Sequence, residues 1–196
     1  MVRILFLDTE TTGLPKDKKI SALEASNNWP DLVSICWSIY ESNKHIRTEY
    51  HIIKPNNWCI DATEIHGITE SMALKKGIDL PDVLGLFKYD LQKANVIVAH
   101  NLNFDKHVVF HAFKWRLGIN PEPFWQHLTE FCSCVKAKDE MKLQALYPPY
   151  NVYRFPKLDE LYIDTFKIQP PENAHDAKRD VKVLVEIFMK RWLKDW

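Results

Sequence analysis

Hydrophobic positions along the chain fall into two compact blocks and several periodic stretches. Arg3–Asp8 is a short apolar run ending in a carboxylate, and Asn95–His100 is a second such run. Continuous apolar runs of this length predict central strands buried on both faces. Val33, Ile35, Trp37 and Ile39 alternate with smaller or polar residues, which predicts a half-buried strand. Ile46, Thr48, Tyr50 and Ile52 alternate with Arg47, Glu49 and His51, which predicts a third strand in a meander. Between the first two strands, residues 16–30 are a polar connection.

Helical periodicity appears later. Residues 61–93 read as helix in pieces, interrupted near Gly67 and Gly77, and residues 103–117 as a helix stopped by Gly118. Residues 136–157 are basic, rich in Tyr and Pro, and predict irregular chain. Pro156 suits the first turn of a short helix carrying Leu158 and Leu161. A last helix starts near residue 176, with Ala177, Val181, Leu184, Val185, Phe188 and Trp192 on one stripe. Strands first, then alternating helix and strand, predict an α/β fold with a mixed central sheet and helices on its faces. With 196 residues the expectation is one domain over 1–196.

Charge changes the picture by exclusion. Lys plus Arg and Asp plus Glu both total 26, so bulk electrostatics does not hold a polyanion. Any grip on nucleic acid must be local or arranged by metal ions. No apolar run approaches the roughly 20 residues of a membrane span. Asp8 and Glu10 interrupt the apolar start, so no signal peptide is expected. The four cysteines form no CxxC pair, which predicts reduced thiols and a cytoplasmic or nucleoid-associated protein that is not secreted. His127, Cys132 and Cys134 lack a fourth partner at a zinc-site spacing, and buried or half-buried thiols are expected instead.

Three polar segments carry candidate chemistry. Asp8-Thr9-Glu10-Thr11-Thr12-Gly13-Leu14-Pro15 closes the first strand, and residues two apart on a strand share a face. Asp8 and Glu10 therefore project together and repel unless a cation or proton lies between them. His100-Asn101-Leu102-Asn103-Phe104-Asp105 joins the second buried strand to a helix. His175-Asp176-Ala177-Lys178-Arg179-Asp180 opens the last helix. His175 and Asp180 converge only if His175 precedes the helix, with Asp176 a candidate N-cap. A D-x-D-x-T phosphotransferase of the haloacid-dehalogenase type would need a second Asp where Glu10 stands. His107 and His111, four apart, read as one polar helix stripe.

In order and spacing, the three segments resemble the motifs of the DnaQ-like, DEDDh-type 3′–5′ exonucleases, D-x-E-T-T-G, H-N-x-x-F-D and H-x-x-x-x-D. Ile65-His66-Gly67-Ile68-Thr69 and Phe155–Tyr162 are also similar to that family, so the likeness spans nearly the whole chain. It implies a ribonuclease-H-like fold and release of nucleoside 5′-monophosphates from single-stranded 3′ ends. It implies two Mg²⁺ or Mn²⁺ ions, oxygen-liganded hard cations. Asp8 would bridge both ions, Glu10 and Asp180 complete the first, and Asp105 act through a water. His175 would be the general base. Thr11, Gly13, Leu14, His66, Asn101 and Phe104 would receive the terminal nucleotide, with Leu14 as a wedge. Lys136, Lys138, Lys142, Tyr147, Tyr150, Tyr153 and Arg154 have the composition of a single-strand platform, or of a solvated loop. Single-stranded DNA or RNA is the expected partner, and a DNA polymerase is a further candidate, linking the chain to proofreading. The alternatives are a nucleic-acid or polymerase-partner binding module with residual catalysis, and a phosphomonoesterase.

Overall fold

A computed structural model of the chain describes residues 2–145, 152–172 and 175–195. Five strands form one sheet in the order β3-β2-β1-β4-β5. They are β1 (Arg3–Thr11), β2 (Leu32–Glu41), β3 (Lys44–Ile52), β4 (Val96–Ala99) and β5 (Thr129–Cys132). The β1–β2 and β2–β3 pairs are antiparallel, whereas β1–β4 and β4–β5 are parallel. This mixed sheet with helices on both faces is a ribonuclease-H-like fold, as expected.

The side-chain period of two sorts β1 between two cores. Leu5 and Leu7 join Trp37, Ile97 and Ala99 beneath α3 (Leu80–Leu91) and α4 (Leu102–His111). Ile4 and Phe6 join Val96, Val98 and the inner stripe of α8 (Ala177–Arg191), with α7 (Leu158–Phe166) beside it. Phe6 meets the Phe188 ring edge-on at 5.2 Å. Trp192 is buried in this core, while Trp196 lies outside the described residues.

The helical stretch after β3 breaks where expected, into α1 (Thr63–His66), α2 (Glu70–Lys76) and α3. Gly67 ends α1 with φ 71°, a left-handed turn that glycine enters without a Cβ penalty. Gly77 ends α2 for a different reason: a Cβ there would lie 2.3 Å from the Ala73 carbonyl oxygen.

Several expectations need correction. β2 is buried on both faces, not half-buried, because Ser34, Cys36 and Ser38 are covered as fully as Val33 to Ile39. β5 and α5 (Glu122–Trp125) follow the Gly118 stop without a sequence signal. Residues 136–141, the start of the stretch expected to be irregular, belong to α6 (Ser133–Met141), which buries the small residues Ser133, Cys134 and Ala137. His107 and His111 do not form one polar stripe: His111 is buried, 3.6 Å from Asp31, while His107 lies against Trp29 with ring centroids 4.5 Å apart.

Candidate active site

The carboxyl ends of β1 and β4 meet the first turns of α4 and α8, and the three motifs converge there. Asp8 and Glu10 have the same strand parity as Ile4 and Phe6, so they face α8. A register shift between Glu10 and Thr11 ends the regular pairing with β2 and turns the following segment away from the sheet. Thr9 points to the opposite face, where its hydroxyl donates to Asp105 Oδ1 at 2.8 Å. Asp105, in the first turn of α4, is thus buried and aimed at the same strand end.

Asp180 comes from the first turns of α8. Asp176 caps the helix, accepting from the Lys178 N–H at 2.9 Å. His175 lies just before it with φ 65°, and its backbone N–H donates to Asp180 at 3.2 Å. The left-handed residue folds the chain back, which is how His175 and Asp180 reach one cleft despite their helical phase.

One carboxylate oxygen from each of Asp8, Glu10 and Asp180 lies within 4.8 Å of the others. Among the described residues, this is the group of His, Cys, Asp and Glu side chains close enough to hold a metal ion. Burial and mutual repulsion raise the Asp8 carboxyl well above its ordinary value and push Glu10 to about 8. Burial likewise raises Asp105, although the Thr9 hydrogen bond opposes it. Burial raises Asp180 too, with Arg179 opposing at 2.6 Å. Such a cluster of oxygen donors, short of positive charge, fits a hard divalent cation.

The cleft above the cluster has a volume of about 500 Å³ and is also lined by Leu14, Asn101, Phe104 and His175. Leu14 is 73% exposed, an apolar side chain standing at the rim. Asn101 holds a left-handed conformation at the start of α4, and Phe104 is half-buried against Trp29. Thr11, Gly13 and His66 lie away from the lining. The Thr11 hydroxyl donates to the Gly13 carbonyl at 2.7 Å. His66 is buried in its own turn, accepting from Ile68 N–H at Nδ1 and bonding the Asp61 carbonyl at Nε2, and its neighbour Ile65 meets the cleft instead.

Sequence reasoning missed Arg179, whose guanidinium bridges Asp180 and Asp159 at 2.6 and 2.7 Å and donates to the Pro171 carbonyl. The signal was a basic residue directly beside a motif carboxylate. In the sequence His100 is one letter of a motif with no assigned role. Burial pushes its imidazole down to about 4, so it is neutral. It donates from Nε2 to the Pro156 carbonyl and accepts from Ser133 at Nδ1, tying residues 155–157 to the end of β4. Of the expected platform, Arg154 is bound to Glu160 at 2.6 Å, and Lys138 lies over the Phe155 ring at 4.8 Å. Tyr147 and Tyr150 fall outside the described residues. His127 is exposed, and Cys132 and Cys134 are half-buried and buried thiols as expected.

Known proteins are similar to this chain. The exonuclease model of the RNase_T family matches residues 5–188. The PolC-type DNA polymerase III of Mycoplasmopsis pulmonis is 29% identical over 184 residues, 93% of this chain. Escherichia coli Exonuclease I, solved with a dT13 oligonucleotide, superposes with a TM-score of 0.72 over 95% of the chain at 21% identity. The Exonuclease I of Methylocaldum szegediense gives 0.71 over 99% at 16% identity. The chain spans 11% of the polymerase and about two fifths of either Exonuclease I. Among the described residues, no helix is long and apolar enough to cross a membrane. The motifs, the fold and the match over almost the full length agree, and the chain belongs to the RNase_T exonuclease family of the DnaQ-like superfamily.

Proposed function

We propose that the chain is a metal-dependent 3′–5′ exonuclease that removes nucleoside 5′-monophosphates from the end of a single strand. The observation that carries this reading is the close approach of three buried or half-buried carboxylates, with a fourth behind them, at the foot of an open cleft. Asp8, Glu10 and Asp180 would hold Mg²⁺ or Mn²⁺, with Asp105 completing a two-ion site. The ions would supply positive charge to the scissile phosphate and to the attacking and leaving oxygens.

The chain's own groups do the rest. Leu14, exposed at the rim, wedges beneath the terminal base, and Phe104 packs on its other side. Asn101 is within reach of the same nucleotide. His175, exposed at the cleft mouth, accepts the proton of the attacking water on its imidazole nitrogen. Asp8 on β1 and Asp180 on α8 hold opposite walls, so the phosphate is oriented between a strand and a helix. Cleavage begins at a free 3′-hydroxyl because the wedge closes on a terminus.

Release of labelled mononucleotide from a 3′-labelled oligomer, with Mg²⁺ and with EDTA, tests the reading. Rapid release that EDTA stops supports it. Efficient cutting of a circular single strand would replace it with an endonuclease. Binding without cleavage would favour the nucleic-acid-binding module, and hydrolysis of small phosphate esters alone would favour a phosphomonoesterase. Likeness to part of a PolC-type polymerase supports a second role, trimming of mismatched primer ends. Faster release from a mismatched than from a matched primer terminus would bear on that role.

A further inference from the structure

Beside the acidic cleft, a pair of thiols stands outside the carboxylate cluster. Cys132 Sγ and Cys134 Sγ are 3.5 Å apart. Cys132 ends β5 opposite Ala99 of β4 and is also the residue that precedes α6. Asn101 and Leu102, at the start of α4, and Val135, in the first turn of α6, line the same groove as its side chain. Two helix N-termini therefore border one thiol, and Cys134 Sγ stands within hydrogen-bonding distance of it. Cys132 is the more accessible of the two thiols, and the Cys134 contact lowers its pKa, so Cys132 is the nucleophile of the pair.

Access is open as well. Both sulfur-bearing residues line a groove of about 820 Å³ together with Val135 and Phe155. The other thiols lack this setting: Cys36 is buried in the sheet and Cys59 is exposed in the loop after β3.

We propose that Cys132 and Cys134 are a redox-active dithiol, a modification site that closes to an intramolecular disulfide by exchange with a low-molecular-weight disulfide of the glutathione type. The Cys132 thiolate attacks one sulfur of the oxidant, whose S–S bond breaks. One thiolate leaves and takes up a proton, and a mixed disulfide remains on Cys132. Cys134 then gives up its proton and attacks Cys132 Sγ, expelling the second thiolate. Two protein thiols are oxidised, and one small disulfide is reduced to two thiols. Closure must bring the sulfurs from 3.5 Å to about 2.05 Å. Residues two apart have Cα atoms within about 7 Å, near the range disulfides span.

The whole chain is incubated with excess glutathione disulfide, its remaining thiols are alkylated, and trypsin is added. Trypsin releases Leu117–Lys136, which contains Cys132 and Cys134 and no other cysteine. That peptide should lose two hydrogens, take no alkylating label and retain no glutathione, and dithiothreitol should restore both thiols. Cys134→Ser should stop one step earlier, with one glutathione held on Cys132. Cys132→Ser should react about tenfold more slowly at its remaining thiol. A wild-type peptide that stays a dithiol, or that keeps glutathione instead of closing, overturns the proposal. So does an undiminished reaction rate in Cys132→Ser. The readout is a peptide mass, so it stands or falls independently of the nuclease reading.

Discussion

Two places in this protein bury carboxylates against the same sheet, and they solve the problem of charge in opposite ways. Asp90, on α3, is 1% exposed, yet its partners come from the chain itself. Trp37 Nε1 donates to it at 2.8 Å, Arg47 forms an ion pair with it, and Arg3 stands 3.9 Å away. At the other end of β1, Asp8, Glu10, Asp105 and Asp180 crowd together. The cation bonded there is Arg179, which is shared with Asp159. A structural carboxylate carries its counter-charge in the sequence. The cleft instead leaves charge uncompensated, which is an arrangement that pays off only with an external cation.

That contrast can be broken or sharpened experimentally. Asp8→Ala should show the largest effect. The proposed cation site is worth several kcal/mol to the reaction, so Mg²⁺-dependent release of mononucleotide should fall by about 10³-fold or more. Metal-free thermal stability should stay equal or rise, because repulsion is relieved. Activity within about tenfold of wild type would remove Asp8 from the site.

His175→Ala comes next, with a loss of about 10²–10⁴ in kcat, the usual worth of a general base. Affinity for Mg²⁺, followed by calorimetry, should hardly change. A variant of full activity would place the base elsewhere while leaving the carboxylates untouched.

Asp90→Ala should reverse the pattern. It leaves the Trp37 N–H and two guanidinium groups without their buried partner, at a cost of about 3 kcal/mol, the low end because Arg47 reaches water. Urea denaturation should report that loss, while turnover per folded molecule stays near wild type. A large drop in turnover without a loss of stability would undo the division into structural and functional carboxylates.

The smallest effect is one of pH. Glu10 sits at about 8 in the ion-free fold against an ordinary 4.5. Between those values the folded state holds a proton that the unfolded chain has lost, so ion-free stability should fall as pH rises through this window. Mg²⁺ favours the ionised form, so it should raise the melting temperature more at pH 8 than at pH 5. Equal Mg²⁺ shifts at both would mean that the cluster is not where the ion binds.

Much of this was readable beforehand, for reasons visible in particular residues. Ile4–Leu7 and Val96–Ala99 announce buried strands because both faces of each are covered. Gly67 and Gly77 announce the helix breaks. β5 was not readable: Thr129–Cys132 is four residues long and half of it is exposed. α6 was hidden because its buried face is Ser133, Cys134 and Ala137, residues too small or polar to mark a stripe. In the cleft, the acidic residues were legible because their spacing is local to each motif. Arg179 and the His66 turn were not, since their roles depend on Asp159, Asp61 and Ile68, whose positions only the folded chain fixes.

The spread of the cluster along the chain also bears on how the protein is made. Asp8 is synthesised before Asp105, and His175 and Asp180 come after both, with the helix that roofs Ile4 and Phe6. A nascent chain that has folded its first strands still lacks one wall of the cleft. On the proposed function, hydrolytic capacity would therefore arrive only when α8 docks, and a chain that still lacks α8 would pose no danger to the nucleic acid around it.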